Sequence, residues 1–280
     1  MTKAVFVAPI GSKHFDVGVD FVASYNKHFD DDNLYLVFSN QQEADTFHKD
    51  LKADIRFKTI VCTEELYCTK PMTQKKIFGV KWVYDNVPEV DYIGVIDVDS
   101  RFVRNFDYPK RFQRICEKKT IYGSPIADNG VRTKCIIDPA RKFFNEIDFK
   151  VIQQTTRNFT LYTWFNEIPV YDRKYFYEFL DYINYTTILP RLTYADFDFT
   201  LFKYFLYAKG YYKLEVMTTQ NGDPLPGTIS GSFVEDHVRS NMSRLIFEDV
   251  FAKYKPMWIR NPISENLMPN VFMRLHTDWK

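Results

Sequence analysis

Apolar and polar positions in the first half of the chain alternate between two periods. "AVFVAPI" (4–10), "LYLVFSN" (34–40) and "RFKTIVC" (56–62) are short runs rich in β-branched and aromatic residues, the pattern of strands buried on both faces. Between them lie a helical stretch from Val17 to about Phe29 and the polar, helix-favouring "QQEADTFHKDLK". "KPMTQKKIFGVKWVYDNV" has a proline near a helix start and apolar residues at 77, 80, 83, 84 and 87, a helical period. A fourth strand is read in "DYIGVIDVDSRFV" (91–103), where Tyr92 to Ile96 run straight into Asp97, Val98 and Asp99. Repeated β–α units predict a mostly parallel, Rossmann-like sheet with helices on both faces. In such sheets ligands bind beyond the carboxyl ends of the strands. Asp97 and Asp99 fall at such an end, as do Pro9, Ile10, Gly11, Ser39 and Asn40.

The second half is less regular. "TIYGSPI" (120–126) reads as a short strand, and "FTLYTWFNEIPVYDRKYFYEFLDYINY" as a strand followed by a helix from about Asp172 to Asn184. A helix is expected from about Ala195 to Ala208, stopped by Gly210 and followed by a strand. "QNGDPLPGTISGSF" (220–233) is a long Gly/Pro/Ser loop of a kind that often carries function, and another helix is read near 239–254. No linker or repeat divides the chain, so a single domain over 1–280 is expected, with 1–125 and 126–280 as its halves.

Composition removes several classes. Apolar residues make up 45%, enough for a sizeable core, and 37 basic against 36 acidic residues leave a net charge of +1. Bulk charge therefore gives no argument for nucleic acid or an acidic membrane surface. The four cysteines include no CxxC pair and none at zinc-finger spacing from a histidine, which suits reduced thiols in a cytoplasmic protein. The N-terminal apolar run is too short for a signal peptide, and no stretch is long enough to span a bilayer. No GxGxxG follows the first strand, and GxxxxGK[ST], GxSxG and HExxH are absent.

The aspartate pair is the chemistry that remains. In extended backbone Asp97 and Asp99 project to the same side, and two converging carboxylates repel unless a cation or proton lies between them. That suits a hard divalent metal and a diphosphate bridged by it. A strand ending in a solvated turn is the structural alternative.

The β–α order, the aspartate pair on the fourth strand and the later acidic helix together resemble the GT-A class of nucleotide-sugar glycosyltransferases. The class's DxD motif is matched by Asp97-Val98-Asp99. The resemblance covers most of the chain at the level of organisation and does not single out a family within the class. It implies a single GT-A-like α/β domain with an acceptor-side second half. It further implies transfer of a sugar from a nucleoside-diphosphate sugar, UDP favoured, to a glycan hydroxyl, assisted by Mn²⁺ or Mg²⁺. Ala8, Pro9, Ile10 and Gly11 would line the nucleoside pocket, with Ser39 and Asn40 nearby. Asp97 would contact ribose or metal and Asp99 the metal, with His237 or His276 as a third ligand. Among Lys75, Lys76 and Lys81 on the preceding helix, Lys76 is taken as the one reaching the nucleotide.

"YADFDFTLFKYFLYAKGYY" resembles the acidic segment of the class. Asp196 and Asp198 are separated by about 200° on a helix, so at most one faces an acceptor. Asp198, twelve residues before Gly210, fits the general base better, and Asp196 the helix cap. Trp164 and Tyr162 are candidates for stacking on a sugar. Two other readings stay open: a sugar-nucleotide nucleotidyltransferase, poorly supported by the loop "APIGSKHFDVG", and a non-catalytic carbohydrate-binding domain.

Overall fold

A computed structural model of the chain describes residues 2–49, 51, 55–67, 71–98, 100–102, 105–125, 142–156, 161–162, 169–193, 196–216 and 272–274. The first half follows the expected β–α order: β1 (Ala4–Pro9), α1 (Phe15–His28), β2 (Leu34–Phe38), α2 (Gln41–Lys49), β3 (Lys58–Val61), α3 (Met72–Asn86) and β4 (Tyr92–Val95). Then come β5 (Ser100–Phe102), α4 (Tyr108–Lys118), β6 (Thr120–Pro125), α5 (Glu146–Thr155), β7 (Leu161–Tyr162), β8 (Val170–Asp172) and α6 (Arg173–Tyr182). The described chain ends with α7 (Tyr185–Ile188), α8 (Asp198–Ala208), β9 (Lys213–Val216) and β10 (Phe272–Arg274). The loop read at 220–233 and the helix near 239–254 lie outside the described residues.

The central sheet has the order β3-β2-β1-β4-β8. The first four strands are parallel, and β8 joins antiparallel, with Ile93 opposite Tyr171. Alternation along β1 sends Val5 and Val7 to one face and Phe6 and Ala8 to the other, and both faces are covered. Over the first face lie α3, α6 and α8, and over the second α1 and α4. The chain is thus a mixed α/β fold whose mostly parallel sheet is flanked by helices.

Two close approaches fix the helices. A Cβ on Gly79 would stand 2.6 Å from Val37 Cγ2 and 2.8 Å from Val7 Cγ1, so α3 lies directly on β1 and β2. Arg173 locks the end of α3, donating to the carbonyls of Val90, Tyr84 and Val87 at 2.7, 3.0 and 2.9 Å. At the end of α8, Gly210 takes φ +67°, with Tyr211 N donating to Leu206 O and Gly210 N to Tyr207 O, a Schellman stop.

The sheet order places a change of direction between β1 and β4. β1, β2 and β3 run outward to one edge, and the chain then crosses back to lay β4 on the other side of β1. Sheets of this kind open a ligand crevice at the carboxyl ends of those two strands. Pro9–Gly11 and Ile96–Asp97 stand at that place.

Candidate functional site

The β4 ladder stops earlier than the sequence pattern suggests. It ends at Val95, although Ile96 N still donates to Val7 O at 3.0 Å, and Val98 lies buried in a turn. On the other side the β8 ladder ends at Gly94, opposite Val170, followed only by Val95 N donating to Pro169 O at 2.8 Å. The strand alternation expected to aim Asp97 therefore does not govern it. Asp99 itself lies outside the described residues.

Asp97 meets a partner from another element. Lys76, in the second turn of α3, places Nζ 2.7 Å from Asp97 Oδ1, with side-chain exposures of 16% and 30%. The same Nζ is 3.7 Å from Asp198 Oδ1, at the first position of α8. Asp198 Oδ2 accepts a 2.6 Å hydrogen bond from the Tyr171 hydroxyl on β8. Burial pushes the Asp198 carboxyl above the ordinary range. Lys76 and Tyr171 hold it back, and the negative charge of Asp97 adds to the rise. Burial, reinforced by Asp198, likewise raises the Tyr171 hydroxyl, which stays a donor. The strand-end aspartate, one lysine and the helix-start aspartate thus form one cluster.

Asp196 is separated from this cluster. Its carboxylate is fully buried, and Oδ2 accepts from Lys142 Nζ at 2.6 Å and from Thr193 N and Oγ1 at 2.6 and 2.9 Å. The N-cap of α8 is Phe197, so Asp196 does not cap the helix as expected. It closes a turn ahead of the helix instead, because Thr193 offers its backbone N–H and its hydroxyl as donors.

The predicted nucleoside-side residues are placed unequally. Ala8, Pro9 and Ile10 are buried, Ala8 and Ile10 as part of the core, and only Gly11 is partly exposed, with open space where a Cβ would stand. The Ile10 carbonyl is taken by Lys75, whose Nζ also donates to Ser39 Oγ at 3.1 Å. Lys75 is 1% exposed, and burial pushes its ammonium down to about 8. Asn40 is exposed and serves α2, its Oδ1 accepting from Glu43 N at 2.9 Å, while Glu43 Oε2 accepts from Ser39 N. Lys81 pairs with Asp85 on its own helix at 2.6 Å.

Trp164, His237 and His276 lie outside the described residues, and Tyr162 is described only by its backbone, opposite Ser124. β10 pairs antiparallel with β5, Arg274 opposite Ser100, which brings a late segment beside the one that follows the aspartate pair. Sequence reasoning missed Tyr171 and Lys142. Neither stands in a local motif, and only the tertiary pairing of β4 with β8 and of residue 142 with the turn at Thr193 gives them roles.

A divalent ion is chemically compatible with Asp97, a partly exposed oxygen donor at the ligand edge of the sheet. The described donor set is incomplete: no three His, Cys, Asp or Glu side chains come together among the described residues. Also among the described residues, no helix is long and apolar enough to cross a membrane. No family model matches the chain, and comparison with curated proteins finds no match either.

Proposed function

We propose that the chain is a metal-assisted glycosyltransferase of the GT-A type. It moves a sugar from a nucleoside-diphosphate sugar, with UDP the favoured base and the donor drawn from the cytoplasm, to a hydroxyl of a glycan. The observation that most supports this reading is the meeting of Asp97, Lys76 and Asp198 beside the β1–β4 crevice. Two acidic segments far apart in sequence converge at the sheet edge where α/β folds take their ligands.

In this reading the donor lies across the carboxyl ends of β1 and β4, passing the open side of Gly11. Asp97 and Asp99 would hold Mn²⁺ or Mg²⁺, with His276 or His237 as a further ligand. The pairing of Arg274 with Ser100 favours His276, two residues further along the chain. A bound ion supplies neutralisation of the leaving diphosphate. Asp198 takes the proton of the acceptor hydroxyl on Oδ1, since Oδ2 is engaged by Tyr171. As that proton leaves, the acceptor oxygen bonds to the anomeric carbon and the bond to the phosphate oxygen breaks. A carboxyl raised by burial suits a base working nearer neutrality.

The test is a thermal-shift screen of UDP-, GDP-, CMP- and dTDP-sugars with and without Mn²⁺. A rise with one nucleotide that needs Mn²⁺ and disappears in Asp99→Ala is expected. No rise with any donor, or one indifferent to Asp99→Ala, would sink the reading.

A further inference from the structure

The positive charge between Asp97 and Asp198 is the chain's own. Lys76 Nζ lies 2.7 Å from Asp97 Oδ1 and 3.7 Å from Asp198 Oδ1, on a side chain only 16% exposed. It comes from α3, which is fixed on the sheet by the close contact at Gly79. A divalent ion on Asp97 would face this ammonium across a few ångströms, and repulsion at that range is strong where water is partly excluded. Ion and ammonium therefore compete for one carboxylate.

We propose that Lys76 is the resident counter-ion of this site and sets its affinity for divalent metal. The proposal rests on the reading of Asp97 as a metal-facing carboxylate. A metal binds Asp97 only as the Lys76 ammonium gives up its contact there. The ammonium has somewhere to go. Asp198 is already within 4 Å of it and is held in place by the Tyr171 hydroxyl at 2.6 Å. Among the described residues Lys76 thus has two carboxylates in reach, Asp97 without the ion and Asp198 when the ion is bound and no acceptor occupies Asp198 Oδ1. Metal loading on one acidic segment thereby changes the charge environment of the other.

The test uses the full chain and Mn²⁺ alone, with no nucleotide, read by titration calorimetry. Lys76→Met and Lys76→Gln, which keep much of the stem and remove the charge, should bind Mn²⁺ about tenfold tighter or more. Lys76→Arg should bind no tighter than wild type, and Asp97→Asn should remove the binding. Equal or weaker binding by the uncharged variants, tightening by Lys76→Arg as well, or no Mn²⁺ binding by any variant would overturn the proposal. If the uncharged variants are too unstable to titrate, the melting temperature decides. Mn²⁺ should raise it more in each of them than in wild type, because the ion replaces the lost charge. A smaller or equal rise, or a failure to fold even with Mn²⁺, would equally overturn it. Failure of the glycosyltransferase reading looks different: no sugar nucleotide would shift the protein while the Mn²⁺ results stood.

Discussion

Replacing Tyr171 by Phe removes one hydroxyl from the candidate site and leaves the ring in place. The ring is fully buried against Phe176, Phe199 and Phe202, at centroid separations of 5.7, 5.8 and 4.7 Å, and these contacts survive the change. What goes is the donor 2.6 Å from Asp198 Oδ2. Asp198 is 2% exposed, so water does not readily replace that donor. A hydrogen bond to a charged group contributes roughly 1.5–3 kcal/mol net, and a loss of about 2 kcal/mol is expected at neutral pH. The pH dependence has a definite sign. Burial raises the folded Asp198 carboxyl above its unfolded value, so its contribution is most favourable below the ordinary carboxylate pKa and falls as pH climbs through the folded value. The Tyr171 hydroxyl opposes the rise; without it the carboxyl moves further up and the fall deepens. The penalty of Tyr171→Phe should therefore be smallest at acid pH and full above the raised value. Urea denaturation at several pH values would show it as a lower midpoint at unchanged m. A loss under about 0.5 kcal/mol that does not vary with pH would refute a dry Asp198–Tyr171 pair, because that is the range of an ordinary surface change.

Three further substitutions probe the scaffold around the site. Lys75 titrates near 8 when folded and 10.5 when not, so the unfolded chain binds more protons between those values and stability rises with pH across them. At about 1.4 kcal/mol per unit of pKa the rise approaches roughly 3 kcal/mol. Lys75→Met should lack it, and identical pH–stability profiles for variant and wild type would contradict the burial of the ammonium. Gly79→Ala gains about 1 kcal/mol of helix propensity but drives a methyl into Val37 and Val7, an overpacking that costs roughly 1–3 kcal/mol. A melting temperature lowered by about 2–4 °C is expected, and an increase would mean that α3 can shift on the sheet. Arg173→Lys cannot serve three carbonyls from one ammonium and loses the guanidinium 4.6 Å over the Tyr84 ring, so denaturation should report a loss of roughly 2 kcal/mol.

The strands of the first half were legible because both faces of the sheet are covered, which leaves continuous apolar runs such as "AVFVAP" and "LYLVF". Helix α4 carries a weak sequence signal. "YPKRFQRICEK" buries only Tyr108, Phe112 and Cys116, a narrow stripe in a charged segment, although Asp107 caps it and a proline marks its start. Gly210 was legible as a stop because a positive φ leaves few other choices. Asp97 could be picked out because a carboxylate after a buried strand is conspicuous. Its partner could not, since nothing local in "VYDRK" says that Tyr171 will face Asp198 across the fold. A separation of about 200° on one helix is not what parts Asp196 from Asp198. They part because the helix begins only at Asp198 and Asp196 turns back to Thr193.

The adjacent lysines of "QKKIF" show how the fold divides one sequence signal into two roles. Two neighbouring lysines on a helix ordinarily mark a solvated face. Successive residues differ by about 100° on a helix, however, and the lysines near the start of α3 reach residues that follow three different strands. Lys75 accordingly points to the Ile10 carbonyl after β1 and to Ser39 after β2, while Lys76 points to Asp97 after β4. The first ammonium has no carboxylate within ion-pair distance among the described residues, and burial pushes it down to about 8. The second has, among the described residues, two carboxylates near it, one of them almost fully buried. Lys75 therefore ties the loops after β1 and β2 together without offering its charge to a ligand, while Lys76 turns its charge to the aspartates on the crevice side. The side chains that distinguish them lie on other elements. This is why a motif search fixes on the aspartates while the fold sets the lysine between them.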